Sequence, residues 1–239
     1  MRADKLAGVN DQLRGLAQLL VLGLAVGCAR TPQCPAQTAD PRNVCSHGIP
    51  NFHLVPEAKL TSHLVYRGGQ PTQEGWVYLH DKLHVTTVVK LNAPEESWNQ
   101  GVDKPATDLG MRVVDLSIPP HDYGVAPRSL AEPFRAIPDA KIALAIATLG
   151  AEDHGNVYVH CTHGRDRTGL IVGLYRVLHE GWLPKDAYAE MNTEGFRPLN
   201  RNLREFWEEL FEHVERAESI RRRARLLELI DSAAKPPAP

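Results

Sequence analysis

Hydrophobic and polar positions along the middle of the chain predict strands and helices in turn. Two runs of mostly β-branched and apolar residues, 85–91 and 111–118, are typical of buried strands. Shorter apolar runs at 63–66 and 155–160 predict two more strands. Apolar residues at helical spacing predict helices over 72–82, 137–149 and 169–178. This order predicts an α/β domain with a central, mostly parallel sheet of four or five strands flanked by helices.

The C-terminal part of the chain is predicted to be helical. Its apolar residues form one stripe at helical spacing: Leu203, Phe206, Trp207, Leu210, Phe211 and Val214. The simplest role of such a stripe is packing against the core. A basic run follows it, for which we expect a solvent-exposed helix face: Arg221, Arg222, Arg223 and Arg225.

The first 28 residues have the pattern of an export signal. Cationic residues at 2, 5 and 14 precede an apolar stretch at 16–27 whose uninterrupted part is too short to span a bilayer. The stretch ends in Leu24-Ala25-Val26-Gly27-Cys28, which resembles the bacterial lipobox, and this resemblance implies a lipidated Cys28. We therefore expect an exported, membrane-anchored lipoprotein that faces the periplasm or the cell exterior. The alternatives are ordinary cleavage with secretion and an uncleaved anchor.

Residues 29–50 are rich in proline and polar residues, so we predict a tether that leads to a folded domain at 51–232, with a disordered tail at 233–239. Cys34 and Cys45 lie in the tether. In an oxidising compartment they can form a disulfide, and two free thiols are the alternative.

Composition is that of one globular domain. The chain has 239 residues, of which 43% are hydrophobic and 23% are charged. Its 27 Lys and Arg against 29 Asp and Glu give a net charge of −2, which argues against a nucleic-acid partner because that affinity depends on clustered cations. Four cysteines are too few for a disulfide-built scaffold. We expect a monomer.

The segment between the predicted strand at 155–160 and the helix at 169–178 carries the chemistry. It reads His160-Cys161-Thr162-His163-Gly164-Arg165-Asp166-Arg167-Thr168-Gly169. A loop that leads into a helix N-terminus directs several backbone N–H groups toward one point and forms an anion site. Its positive potential favours the thiolate of Cys161, and the planar guanidinium of Arg167 can hold two phosphoryl oxygens.

This segment resembles the signature of the cysteine-dependent protein tyrosine phosphatase superfamily, His-Cys-x-x-Gly-x-x-Arg-Ser/Thr, at every fixed position. The similarity is strongest to bacterial dual-specificity and inositol-phosphatase-like members. It includes Gly48-Ile49-Pro50-Asn51-Phe52 and Tyr66-Arg67-Gly68-Gly69-Gln70-Pro71, and so covers about residues 48–195. The resemblance implies a phosphatase-like α/β fold and hydrolysis of phosphate monoesters through a cysteinyl-phosphate, with no metal and no other cofactor.

The same resemblance implies roles for the residues of the loop. Cys161 is the nucleophile, Arg167 binds the phosphoryl group, the Thr168 hydroxyl assists departure of the thiolate, and His160 orders the loop. The phosphate-binding positions are Thr162, His163, Gly164, Arg165, Asp166 and Arg167.

The leaving oxygen also needs a proton, which members of the superfamily take from an aspartate on the loop after the preceding core strand. The candidate in segment 117–124 is Asp122. Asp115 is the rival, but it lies in a predicted strand, where a structural role is expected. His121 can assist Asp122. The segment lacks the Trp-Pro-Asp form of the motif.

Other interpretations of the loop remain. His160, Cys161 and His163 can ligate zinc, although the neighbouring arginines repel a cation. The loop can also belong to an inactive phosphate-binding module, or to a rhodanese-like or arsenate-reductase-like protein.

The substrate is indicated by the residues around the signature arginine. Residues 165–169 are similar to the Lys-Asp-Arg-Thr-Gly form found in bacterial phosphatases that accept phosphoinositides as well as phosphotyrosine. Arg165 at the rim can stabilise a second phosphate, which favours inositol phosphates or phosphoinositides besides phosphorylated proteins. Alternatively, Arg165 pairs with Asp166 or another acid and does not reach the ligand.

Overall fold

The computed structural model describes residues 45–56, 62–92, 103–118 and 137–235. Within these residues there are seven strands and seven α-helices. The strands are β1 (Cys45–Ser46), β2 (Ile49–Pro50), β3 (His53–Leu54), β4 (Val65–Gly68), β5 (Val85–Lys90), β6 (Arg112–Asp115) and β7 (Asn156–His160). The helices are α1 (Gln73–Asp81), α2 (Lys104–Asp108), α3 (Asp139–Gly150), α4 (Asp166–Leu178), α5 (Pro184–Thr193), α6 (Arg201–Phe211) and α7 (Ala217–Ala233), and a 3₁₀ turn spans Glu152–His154.

Five of the strands form the central sheet, in the order β3-β4-β7-β5-β6. β3 pairs with β4 antiparallel, and the other three pairings are parallel. The predicted α/β fold with a mostly parallel sheet is therefore confirmed. Because β7 lies between β4 and β5, the segment after it leaves the middle of the carboxyl edge of the sheet, where open α/β sheets bind their ligands.

Both faces of the sheet are covered. Successive strand residues point to opposite sides, so Val88 and Val89 belong to different hydrophobic clusters. The smaller cluster contains Trp76 and Leu79 of α1. The larger cluster is built from helices α3 to α7, with members such as Ile142, Leu170, Met191, Leu203 and Leu226. Continuous apolar strands are expected in this arrangement, because neither face meets water.

Several boundaries differ from the prediction. Helix α4 begins at Asp166, three residues before the apolar pattern starts, because its first turn is polar. β6 covers four residues of the predicted strand at 111–118, although residues 116–118 continue along the core. Helices α2 and α5 were not predicted. Each carries a proline in its first turn, which was the available signal.

Residues 45–50, which composition assigned to the tether, are part of the folded domain. They form the β1–β2 hairpin, and the side chain of Ile49 is fully buried in the smaller cluster. The Gly48 carbonyl accepts a hydrogen bond of 2.9 Å from the Thr72 N–H at the start of α1. The proline-rich composition concealed this because Ile49 is the one large aliphatic residue in segment 45–50.

The C-terminal helices confirm the predicted stripe in part and correct the prediction for the basic run. Four residues of the stripe are buried, whereas Val214 is 45% exposed. Arg222 pairs with Asp139 at 2.8 Å and with Glu209, and its guanidinium lies 4.3 Å from the centroid of the Phe206 ring. Arg223 donates to the carbonyls of Leu210 and Val214. These two arginines hold α7 against α3 and α6, so this part of the run is not a solvated face.

The predicted export signal with Cys28, and the part of the tether with Cys34, lie outside the described residues. Among the helices that are described, none combines the length and hydropathy needed to cross a membrane.

Candidate active site

The signature loop joins β7 to α4 at the carboxyl edge of the sheet. His160 is the last residue of β7, and Asp166 is the first residue of α4. Cys161 lies at the base of the loop and is 3% exposed. The positive end of the α4 dipole and the N–H groups of its first turn, which have no acceptor within the helix, therefore face the same small volume as the thiol. This is the strand–loop–helix context that the sequence predicted.

Arg167 is fixed by backbone atoms from two neighbouring strand ends. Its Nη1 donates to the carbonyl of Leu91, just after β5, at 3.2 Å and to the carbonyl of Ile118, beyond β6, at 3.1 Å. Its Nη2 donates to Thr162 Oγ1 at 3.3 Å. Thr168 is fully buried, and its hydroxyl has no hydrogen-bond partner among the described residues. The loop thus has a pre-positioned guanidinium and a buried hydroxyl that is not committed to another described group.

The two upstream motifs, residues 48–52 and 66–71, support the phosphate loop from outside. Gly164 has φ +71°, and a Cβ built on it would lie 2.3 Å from the carbonyl carbon of Gly68. The Gln70 N–H donates to the Thr162 carbonyl at 3.1 Å, and the Gly69 N–H donates to the Pro50 carbonyl at 2.6 Å. The glycines after β4 therefore let the phosphate loop rest directly on backbone.

Two side chains that the sequence analysis did not assign to the site hold the Gly164 carbonyl. Asn51 Nδ2 donates to this oxygen at 2.9 Å, and Arg67 Nη2 donates to it at 3.1 Å. Burial lowers the pKa of the Arg67 guanidinium, and the nearby Glu194 carboxylate partly offsets that effect. Both residues lie in the upstream motifs. They are polar residues in an otherwise apolar or glycine-rich sequence, and this contrast was the signal that could have identified them.

His160 points below the loop into a polar cluster. Its Nε2 lies 3.5 Å from Asp103 Oδ1, and that carboxylate also accepts from Gln70 at 3.0 Å and pairs with Lys90 at 3.1 Å. The imidazole stacks on Tyr158, with 5.5 Å between ring centroids. Burial lowers the pKa of His160, while Asp103 opposes this shift. This placement supports the loop-ordering role that the resemblance implies.

Within the part of the chain that the structure describes, no group of three or more His, Cys, Asp or Glu side chains is arranged to hold a metal ion. The side chain of His160, one of the three proposed zinc ligands, is directed to Asp103.

Asp115, the rival candidate for the general acid, has structural partners. Its carboxylate accepts from the Ser117 N–H at 3.1 Å and the Ser117 hydroxyl at 2.5 Å, and pairs with Lys90 at 3.1 Å. Partial burial raises its pKa, but the hydrogen bonds from Ser117 and Lys90 outweigh burial and leave the pKa below its usual range. Such a group stays ionised and is poorly suited to donate a proton. Asp122 and His121 lie outside the described residues.

The rim of the loop contains an arginine that the sequence analysis missed. Asp166 accepts from the Arg197 N–H at 2.9 Å and from Arg197 Nε at 3.0 Å. The carboxylate of Asp166, predicted to bind phosphate, is thus held by Arg197. Burial lowers the pKa of His163, and the charges of Arg197, Arg165 and Arg167 lower it further, so three guanidinium groups lie near this imidazole.

Comparisons with known proteins agree with this geometry. The sequence model described as "Tyrosine phosphatase family" matches residues 54–219. The dual specificity protein phosphatase TpbA of Pseudomonas aeruginosa strain UCBPP-PA14 is 29% identical over 203 residues, which cover 82% of this chain and 77% of that protein. The inositol diphosphatase SIW14 of Saccharomyces cerevisiae is 25% identical over 178 residues, which cover 72% of this chain and 59% of that protein.

The fold likewise matches a solved structure. The crystal structure of P. aeruginosa TpbA superimposes with a TM-score of 0.50 at 23% sequence identity, and the match covers 81% of this chain and 99% of that chain. At this level of identity the match shows the fold. The fold match agrees with the family match, which covers more than half of the sequence. The chain therefore belongs to the tyrosine phosphatase family and is a hydrolase of phosphate monoesters.

Proposed function

We propose that this phosphatase works by covalent catalysis, with Cys161 as the nucleophile. The observation that carries the proposal is the placement of Cys161 at the base of a loop that ends in the N-terminus of α4, with Arg167 fixed by the carbonyls of Leu91 and Ile118. Backbone N–H groups and a helix dipole stabilise the negative charge of a bound phosphoryl group.

The proposed reaction has two steps. The thiolate of Cys161 attacks phosphorus, an S–P bond forms, and the P–O bond to the leaving group breaks while that oxygen takes a proton from Asp122. Water then attacks phosphorus and gives its proton to the Asp122 carboxylate, and the S–P bond breaks to release inorganic phosphate and the thiolate. Arg167 holds two phosphoryl oxygens throughout, and the Thr168 hydroxyl donates to the departing sulfur.

The test uses protein that lacks residues 1–28. It should hydrolyse an aryl phosphate, Cys161→Ser should abolish turnover, and a metal chelator should leave the wild-type rate unchanged. Persistent turnover by Cys161→Ser would refute the covalent mechanism. A wild type that binds phosphate without turnover would instead identify an inactive binding module.

The assignment of Asp122 is tested by the leaving group. Alkyl phosphates depend on protonation of the leaving oxygen far more than activated aryl phosphates do. Asp122→Asn should therefore lose much more rate on an alkyl ester than on an aryl ester. Asp115→Asn is the matched control, because the Asp115 carboxylate is held by Ser117 and Lys90. A larger or more selective loss in Asp115→Asn would reverse the assignment.

We further propose that the site accepts inositol phosphates or phosphoinositides as well as phosphotyrosine. The support is the charge at the rim, where Arg165 and Arg197 lie near the His163 imidazole together with Arg167, and Arg197 pairs with Asp166. Two relatives carry the names dual specificity protein phosphatase and inositol diphosphatase. Arg165→Ala should lose catalytic efficiency selectively on inositol polyphosphates relative to a phosphotyrosine peptide. An equal effect on both substrates would remove the argument for a second phosphate.

Finally, we propose that the mature protein is anchored to a membrane through lipidated Cys28 and that its catalytic domain is exported. The lipobox-like ending of the N-terminal apolar stretch supports this location. Cys28→Ser should move the protein from the membrane fraction to the soluble fraction. Unchanged retention in the membrane would indicate an uncleaved anchor instead.

A further inference from the structure

Asn51 connects three parts of the domain. Its side chain is almost fully buried, and both hydrogens of its amide are used, one for the Gly164 carbonyl at 2.9 Å and one for the Glu194 carbonyl at 3.0 Å. Its Oδ1 lies 3.2 Å from Nε2 of His53, which also lies 3.0 Å from the Glu194 carboxylate. One amide therefore links the N-terminal segment, the phosphate loop and the segment after α5.

The contact with the Gly164 carbonyl determines the orientation of a peptide in the loop. In a trans peptide the carbonyl and the N–H point in opposite directions, and no cis peptide is present in the described backbone. Because Asn51 and Arg67 hold the Gly164 oxygen on the outer side, the N–H of Arg165 is turned to the opposite side. A loop of this kind binds an oxyanion through N–H groups that are directed to its concave face.

We propose that Asn51 is a positioning residue that sets the phosphate affinity of the loop by holding the peptide between Gly164 and Arg165 in its anion-binding orientation. The proposal rests on the proposed role of the loop as a phosphate cradle. Without the Asn51 amide, Gly164 keeps one outer donor, Arg67, and the glycine at φ +71° is free to rotate its peptide. A rotated peptide presents a carbonyl oxygen, which repels the substrate.

The backbone at Asn51 allows a clean substitution. Its φ is +47°, in the left-handed region that glycine and asparagine tolerate. Asn51→Gly therefore removes the side chain without adding backbone strain. Asn51→Asp keeps the shape of the side chain but places carboxylate oxygens against the carbonyls of Gly164 and Glu194. If Asn51 only stabilises the fold, the variants should differ from the wild type in unfolding temperature alone. If Asn51 positions the loop, the variants should also bind an oxyanion more weakly.

The experiment measures the Kd of tungstate, a tetrahedral oxyanion, by calorimetry, together with kcat and KM for an aryl phosphate and the midpoint of thermal unfolding. The matched control is Ser219→Ala, which also removes one buried side-chain hydrogen bond to a carbonyl, that of Glu209, but on α7. We expect the tungstate Kd to rise about tenfold or more in Asn51→Gly and further in Asn51→Asp. We expect kcat to fall by roughly 10- to 100-fold, which is less than the roughly 100- to 1,000-fold loss when one oxyanion donor is removed outright. Ser219→Ala should bind tungstate as the wild type does.

Each outcome decides between explanations. Wild-type tungstate affinity in Asn51→Gly and Asn51→Asp would overturn the proposal, even if both variants unfold at lower temperature. A loss of affinity that Ser219→Ala shares would overturn it as well, because it would follow from general destabilisation. If the wild type binds tungstate but does not hydrolyse the ester, the catalytic proposal fails while the Asn51 comparison still stands. A wild type that binds no tungstate overturns both.

Discussion

Replacement of Gly164 by alanine is the most direct test of how the phosphate loop is supported. A Cβ at this position would lie 2.3 Å from Gly68 C, 2.5 Å from Gly69 N and 2.6 Å from Gly68 O, and all of these are backbone atoms that cannot rotate away. The φ of +71° adds the cost of a left-handed alanine. The loop must therefore move away from β4, or the segment after β4 must move with it.

The magnitude follows from these two contributions. The left-handed conformation costs roughly 1–2 kcal/mol for a residue other than glycine, and overpacking in a tightly packed region costs roughly 1–3 kcal/mol. We expect Gly164→Ala to lower the free energy of unfolding by about 2–5 kcal/mol, a large part of the 5–15 kcal/mol or so that is typical of a domain. We also expect activity on an aryl phosphate to fall, because the displaced peptide no longer directs its N–H groups at the substrate.

Gly110→Ala is the matched control. Gly110 has φ +84° and lies in the turn between α2 and β6, where an added Cβ would meet nothing within 4 Å. Both variants carry the cost of a left-handed alanine, and in both the alanine reduces the entropy of the unfolded chain. If the m-value is unchanged, the difference between their urea midpoints therefore measures the effect of the overlap with Gly68 and Gly69. Equal destabilisation by the two alanines, or full activity in Gly164→Ala, would refute the close-contact argument.

Two further predictions concern stability. Arg176 is fully buried between Glu180 and Glu190, each at 2.7 Å. Arg176→Met should leave the buried Glu180 and the partly buried Glu190 carboxylates unpaired and cost roughly 3–5 kcal/mol by urea unfolding. Arg204→Met at the more exposed pair with Glu208 should cost about 1 kcal/mol or less. Burial lowers the pKa of four described histidines below the usual 6.5, namely His53, His160, His163 and His179. The unfolded chain therefore binds more protons below about pH 6.5, and the free energy of unfolding should fall as pH drops from 7 to 5, with a shallower slope in His179→Gln.

The sequence was informative about the loop because the residues that do the chemistry are local. Cys161, Gly164 and Arg167 stand within seven consecutive positions between a strand and a helix, so their spacing alone defines a cradle. The strands were readable for a similar reason: β5 and β7 are mostly buried, and burial leaves runs of mainly β-branched and apolar residues such as VTTVV.

The supporting contacts were not readable because they join distant positions. Asn51 and Gly164 are 113 positions apart, and Arg222 and Asp139 are 83 positions apart. Neither the periodicity nor the composition of the sequence indicates which carboxylate or carbonyl group a cationic side chain contacts after the helices have packed. The basic run on α7 was therefore predicted to be solvated, and Ile49 was assigned to a tether, since in each case the deciding partner lies elsewhere in the chain.

The pair of Asp166 and Arg197 shows how such a distant contact can control the chemistry of a local motif. Asp166 places a carboxylate with 5% side-chain exposure in the first turn of α4, next to the arginine that clamps phosphate. Unpaired, this negative charge would cancel part of the helix potential that attracts the substrate. Arg197→Met should therefore weaken tungstate binding even if Arg197 never touches the ligand. If neutralisation is its role, adding Asp166→Asn to Arg197→Met should recover most of the lost affinity. If Arg197 instead contacts the substrate, the double variant should bind no better than Arg197→Met alone, and the neutralisation argument would be wrong.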